Sequence, residues 1–312
     1  MHISSRVSTA GLVALVALNV VAVGWALRSN DTTAASPPPT SIDSPSASVR
    51  PSSTPSVKPS PTAPGTATTA PVAPLQTILV AIDDKAAWRI NVGTCAKGGA
   101  KVATTTDGGT TWADAKAPLG TIVRVRPTDG QTAFVVGADA TCVAELKDTS
   151  DGGATWASGG AVGSAWFRDP KNPLTVRSPG PASSAPCGRR EVLDLAVISV
   201  GSARVLCADG LVRSTTDTGA SWTDSGKARG AVALAVRPAT PAQTYVAVLD
   251  APGCAGVQVR RVDKSALTSC VQVAAPKTPG QIALSLVAGG GWLSVSGKTM
   301  RSTDNLLTWS PA

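Results

Sequence analysis

The chain is short of the side chains that do acid–base, metal and redox chemistry. Among 312 residues there is one histidine, His2, one tyrosine, Tyr245, and two glutamates, Glu145 and Glu191. His2 precedes a long apolar run, so no histidine base is available to anything downstream of it. No cysteine stands in a Cys-x-x-Cys pair, and without a neighbouring histidine no zinc site is expected. Charged residues make up only 15% of the chain and form no basic run. That excludes the clustered positive face a nucleic-acid partner requires. No catalytic residue, metal or cofactor is assigned on these grounds.

Residues 11–27 are an uncharged apolar run closed by Arg28. Its length suits a short membrane span or a long signal-peptide core. The reading is a signal anchor at 11–28, with 1–10 cytoplasmic and the remainder outside the membrane. A cleaved leader is the alternative, with Thr33-Ala34-Ala35 as its site and secretion as its consequence. Residues 29–74 are dominated by Ser, Thr, Pro and Ala and bury too little to fold, so they are read as a disordered linker. Residues 75–312 form the folded domain. Removing Arg6, Arg28, Arg50, Lys58, Asp31 and Asp43 from the totals leaves it 24 basic and 18 acidic residues. The excess is dispersed and suits weak attraction to anionic surfaces. An even set of six cysteines in an exported domain reads as three disulfides.

The organising feature is a repeat. Thr105-Thr106-Asp107-Gly108-Gly109-Thr110-Thr111-Trp112 returns around Asp151, Gly153 and Trp156, then around Asp217, Gly219 and Trp222. A worn copy holds Asp304 and Trp309, with Leu306 in place of the glycine. The aspartate accepts bonds from turn amides, the glycine takes a positive φ, and the tryptophan is expected to lie under the turn. The pattern Ser/Thr-x-Asp-x-Gly-x-Ser/Thr-Trp resembles the Asp-box (BNR) repeat of sialidase-like and photosystem-assembly-factor-like β-propellers. The resemblance covers about residues 75–312. It implies that the box is a structural turn lying away from the ligand face, and it includes assembly factors that hold other proteins.

Box spacings of 44, 66 and 87 residues fit a period near 44, with a degenerate box at Asp263. That period suits four-stranded blades. Apolar alternation places inner strands at 77–82, 121–125, 192–197, 231–236 and 282–287. The expectation is an all-β propeller of about five four-stranded blades. Residues 159–186, which break the period, are either a long loop or a sixth, damaged blade. Too little chain follows Trp309 for a fourth strand, so residues 66–73 are expected to complete the last blade. Cys95–Cys142 would join equivalent loops of adjacent blades, while Cys187–Cys207 and Cys254–Cys270 close short segments.

Trp166, Phe167, Arg168, Arg177, Arg189 and Arg190 form an aromatic-and-cation mixture of the kind found on recognition surfaces. Phe167-Arg168-Asp169-Pro170 resembles the sialidase motif whose arginine binds a carboxylate, but it follows the second box and carries Asp169 in place of isoleucine. Asp83-Asp84 reads as solvated turn charge. The leading functional reading is a monomeric, membrane-tethered, extracytoplasmic propeller that binds a protein or cell-envelope polymer without catalysis. The competing reading is a glycan-processing enzyme of sialidase or glycoside-hydrolase type.

Overall fold

The structure, a computed structural model, describes residues 72–180, 183–263 and 268–312. The anchor expected at 11–28 and linker residues 29–71 lie outside the described residues. Among the described residues no helix is long and apolar enough to cross a membrane.

Six antiparallel sheets follow one another along the chain. The first holds β1 (Thr77–Ala81), β2 (Ala87–Asn91), β3 (Lys101–Thr105) and β4 (Ala113–Ala115). The second holds β5 (Thr121–Pro127), β6 (Ala133–Ala138), β7 (Ala144–Thr149) and β8 (Ala157–Ser158). The third is small: β9 (Phe167–Arg168), β10 (Val176–Arg177) and β11 (Ser183–Ser184). The fourth comprises β12 (Val192–Val197), β13 (Ala203–Cys207), β14 (Leu211–Thr215) and β15 (Thr223–Lys227). The fifth comprises β16 (Ala231–Arg237), β17 (Gln243–Val248), β18 (Val257–Arg261) and β19 (Thr268–Val271). The sixth comprises β20 (Ile282–Val287), β21 (Gly290–Val295), β22 (Lys298–Ser302) and β23 (Ser310–Pro311).

These are the blades of a six-bladed propeller. An apolar cluster fills each junction between neighbours, because every blade has two faces to bury. Trp88 and Ile90 meet Ile122 and Val125 between blades one and two. Val136 meets Phe167 between two and three, and Trp166 meets Val205 between three and four. Leu206 meets Val246 between four and five, and Val259 meets Leu293 between five and six. Leu79 and Trp292 close the ring between six and one, where Ser285 Oγ also accepts the Ala81 amide at 2.9 Å. The five expected inner strands are all present. Of the two readings of residues 159–186, the sixth, damaged blade is the one observed, so the count is six rather than five.

That third blade lacks its innermost strand among the described residues. Trp88 of β2 donates its indole N–H to Asp129 O, in the first turn of the next blade, at 3.2 Å. Trp292 of β21 does the same to Asp83 O at 3.0 Å. Trp166, just before β9, does so to Val200 O at 2.8 Å. Ile122 N bonds Val92 O, just past β2, and Val192 N likewise bonds Pro173 O, in the β9–β10 connection, both at 2.8 Å. By both measures β9 stands in the second-strand position. The sheet runs β9, β10, β11 outward, and no described strand lies inside it.

The last blade is complete, which overturns the expected docking of residues 66–73 there. Met300 pairs with Pro311 and Arg301 with Ser310, and Ala312 N reaches Thr299 O at 3.0 Å. Three residues suffice because the turn before them delivers the chain directly onto the edge of β22.

The three disulfides are Cys95–Cys142, Cys187–Cys207 and Cys254–Cys270, with Cα separations of 5.3, 5.5 and 5.5 Å. No cysteine is free. This pairing, as expected, belongs to an oxidising, extracytoplasmic environment.

Candidate functional site

Strand direction divides the propeller into two faces. The repeated turns and the first turn of each blade lie on one, called here the turn face. The connections between blades, except the one from β8 to β9, and the second-to-third loops lie on the other, together with the disulfides. On the turn face the four repeats are the same object. Thr105 Oγ1 donates to Asp107 Oδ1 at 2.8 Å and accepts Gly109 N at 3.0 Å. Thr111 N then donates to Asp107 Oδ1 at 3.0 Å. Asp151, Asp217 and Asp304 repeat this with Thr149, Thr215 and Ser302 as the first hydroxyl. The hydroxyl four residues on, together with the turn amide and the first hydroxyl, holds Asp107, Asp151, Asp217 and Asp304 at about 2. The degenerate copy at Asp263 uses Arg261 instead, in an ion pair.

The tryptophans differ from expectation. They bridge blades, although Trp156 also keeps its own turn as a partner, donating to Gly153 O at 3.1 Å. Trp156 Nε1 donates to Lys116 O at 2.7 Å, Trp222 Nε1 to Ser184 Oγ at 3.1 Å and Trp309 Nε1 to Ser269 Oγ at 3.0 Å, each in the preceding blade. Trp156 and Trp222 also stand edge-on to Trp88 and Trp166. Trp112 lies beneath the Arg89 guanidinium, 4.1 Å from its ring centre.

The candidate site is the central cavity, about 630 Å³ in volume. The chain seals one end of it. Leu75 is 4% exposed; its amide donates to Leu193 O at 3.0 Å and its carbonyl accepts Arg168 Nη2 at 3.2 Å. The lining continues to the β12–β13 turn at 198–200 and to Gly160 and Ser164, all exposed. It includes none of the long loops at 93–99, 138–141 and 250–256. The cavity therefore opens on the turn face, the face that carries the boxes, which corrects the expectation that the boxes lie away from the ligand face. Ile198 and Val200, 40% and 70% exposed, stand at its rim.

Inside, aliphatic walls are interleaved with charged groups, Arg124, Arg126, Arg168, Asp148 and Asp194, and two stand out. Asp194 is buried on β12, accepting Leu234 N and Leu195 N at 2.7 Å each. Burial raises its carboxyl to about 6, against the opposing pull of those amides and of Arg168. Arg124 on β5 lies 5.9 Å over the Phe134 ring. Its Nε has no hydrogen-bond partner, and among the described residues no ion pair includes it. Burial, with the charge of Arg126, lowers its guanidinium to about 10, so it stays cationic at neutral pH.

The recognition set expected from sequence is dispersed. Arg168 and Trp166 both line the cavity, Trp166 and Phe167 being buried in blade junctions. Arg177 pairs with Asp169 at 3.0 Å, Arg190 with Asp209 at 3.5 Å, and Arg189 is exposed. Sequence reasoning passed over Arg124 and Asp194. The available signal was a charged residue inside an inner-strand apolar run, as in Val-Leu-Asp-Leu-Ala-Val at 192–197. Tyr245 is buried, with its hydroxyl 3.3 Å from Gln243 Oε1. Neither it nor Glu145 or Glu191 lines the cavity. Asp83 caps its own turn, accepting Lys85 N and Ala86 N.

No known protein family and no curated protein matches the sequence. Similar solved structures include a fucose-binding lectin from Aleuria aurantia in complex with Fucα1-6GlcNAc, 13% identical over 76% of this chain and 94% of that one, with a TM-score of 0.48. YCF48 from Cyanidioschyzon merolae is 16% identical over 77% and 86%, with a TM-score of 0.39. A GH74 xyloglucanase from Xanthomonas campestris is 19% identical over 75% of this chain, with a TM-score of 0.30, and this chain spans 38% of its length.

Proposed function

We propose that the protein is a non-catalytic binding scaffold that works outside the cytoplasm and takes its ligand into the central cavity from the turn face. The observation that carries this reading is a cavity of about 630 Å³ in which aliphatic walls carry Arg124, Arg126, Arg168, Asp148 and Asp194, with an exposed apolar rim and, in Arg124, a cation in no ion pair among the described residues. Pockets that hold ligands have this size and set polar groups among apolar walls. Tethering through residues 11–28, on a linker at 29–74, would present the propeller to a protein or envelope polymer at a distance from the membrane. The Asp-box turns then serve as rigid scaffold, with their carboxylates committed to their own backbone.

The glycan-processing reading is weaker. Hydrolysis of a glycosidic bond uses two carboxyl groups across one bond. The cavity supplies Asp194 and, on β7, only the exposed Asp148. The test is capture from envelope fractions with the full-length chain, beside the variant Val200→Asp, which charges the rim through an exposed side chain. The expected result is an enriched partner that the variant loses. No enrichment, or enrichment indifferent to the variant, would sink the reading.

A further inference from the structure

A sheet edge presents a row of unpaired amides and carbonyls to whatever lies beside it. In the other five blades the second strand is covered on its inner side by a first strand, as β2 is by β1 in the register Ile90 to Ile78. β9 occupies the second-strand position and has no such cover among the described residues. The gap lies between β5 and β12 and is continuous with the cavity. Val123 on the second blade and Leu195 and Val197 on the fourth line the cavity and pack toward the third, which suits the alternating side chains of an extended segment.

Two observations identify the occupant. Arg124, half-buried over the Phe134 ring and in no ion pair among the described residues, lines this space, and a partly desolvated cation without a counter-charge calls for an anion. In the chain's own upstream segment the carboxylates are Asp31 and Asp43, and none occurs between Asp43 and Val72. A glycan is disfavoured because the nearby tryptophan is already used, its indole N–H bonded to Val200 O and its ring against Trp222.

We infer that the vacant inner position of the third blade is a strand-docking slot, and that an acidic, extended segment of a partner protein completes the blade there. The segment pairs with β9, sets aliphatic side chains against blades two and four, and places a carboxylate on Arg124. This rests on the binding reading above and narrows it to strand addition.

The test is selection of random heptapeptides displayed on phage against the full-length chain in detergent, followed by affinity measurement on synthetic copies. The expected winners alternate aliphatic residues and carry an aspartate or glutamate. Methylating alternate backbone amides should abolish their binding. Arg124→Gln should weaken it about ten-fold or more, the loss of one charge-assisted hydrogen bond. Should that variant melt early, Ser164→Trp, at an exposed position on the rim of the slot, should block the same peptides. Winners without a carboxylate, binding indifferent to backbone methylation, or no winners at all would overturn the inference. So would binding of a peptide copied from residues 31–71, which carries Asp31 and Asp43 and would make the chain its own occupant. If peptides fail while a Val200-sensitive partner is still captured, strand docking falls and the scaffold reading stands.

Discussion

Leu306 shows how a single residue departs from its repeat at a cost and for a reason. It sits at φ 70°, where the other copies have Gly109, Gly153 and Gly219 at 84° to 90°. A Cβ at Gly109 would approach Trp292 at 3.0 Å, and one at Gly219 would approach Trp166 at 3.2 Å. The blade before Leu306 has no tryptophan, and the leucine fills that room, 6% exposed in the cluster with Val259 and Leu293. Positive φ costs a non-glycine residue about 1–2 kcal/mol, whereas deleting a buried leucine side chain costs about 2–5 kcal/mol. Leu306→Gly, which restores the repeat's own residue, is therefore expected to destabilise by about 1–3 kcal/mol. Thermal unfolding would read this as a fall of several degrees; a rise would show that backbone strain dominates. The repeat was legible because glycine and aspartate mark turns directly, but the worth of Leu306 depends on which side chains the neighbouring blade lacks.

Among the elements, the shortest strands decide closure and were the hardest to read. β23 has two residues, and β9, β10 and β11 have two each, too few for a period-two pattern to register. Their identity comes from partners instead: β22 for β23, and the indole of Trp166 for the third blade. Removing 310–312 should uncover the edge of β22 and lower the melting temperature by several degrees, about 1–2 kcal/mol in a domain this size. Trimming the chain to begin at Val72 should leave it unchanged, because the last blade already has its outer strand. Equal midpoints for the first comparison, or a drop in the second, would contradict this account of closure. The long inner strands needed no such help: Val-Leu-Asp-Leu-Ala-Val at β12 and Ile-Ala-Leu-Ser-Leu-Val at β20 announce themselves by hydrophobicity alone.

For the whole molecule, two sets of carboxylates act on stability in opposite directions. The turn aspartates titrate near 2 when folded, below their unfolded values near 3.9, so they stabilise above about pH 4 and lose that contribution as pH falls toward 2. Asp194 is raised to about 6. The folded state holds its proton more tightly, so its contribution is fully present below about pH 4 and is lost as pH rises through 6. Denaturant midpoints measured against pH should rise as pH falls from 7 to 4 and drop below that. Asp194→Asn should flatten the rise and leave the acid drop; an unchanged profile would remove Asp194 from the account. By itself the sequence determined the all-β repeat, the turn chemistry and the three cysteine pairs, because these follow from local preferences and from a period that puts equivalent loops side by side. Only the tertiary structure decided that there are six blades, that Leu75 and Arg168 close one end of the cavity, and that Arg124 stands over Phe134 inside it without an ion pair among the described residues. Those outcomes depend on contacts between residues far apart in the chain, and no local pattern encodes an empty strand position.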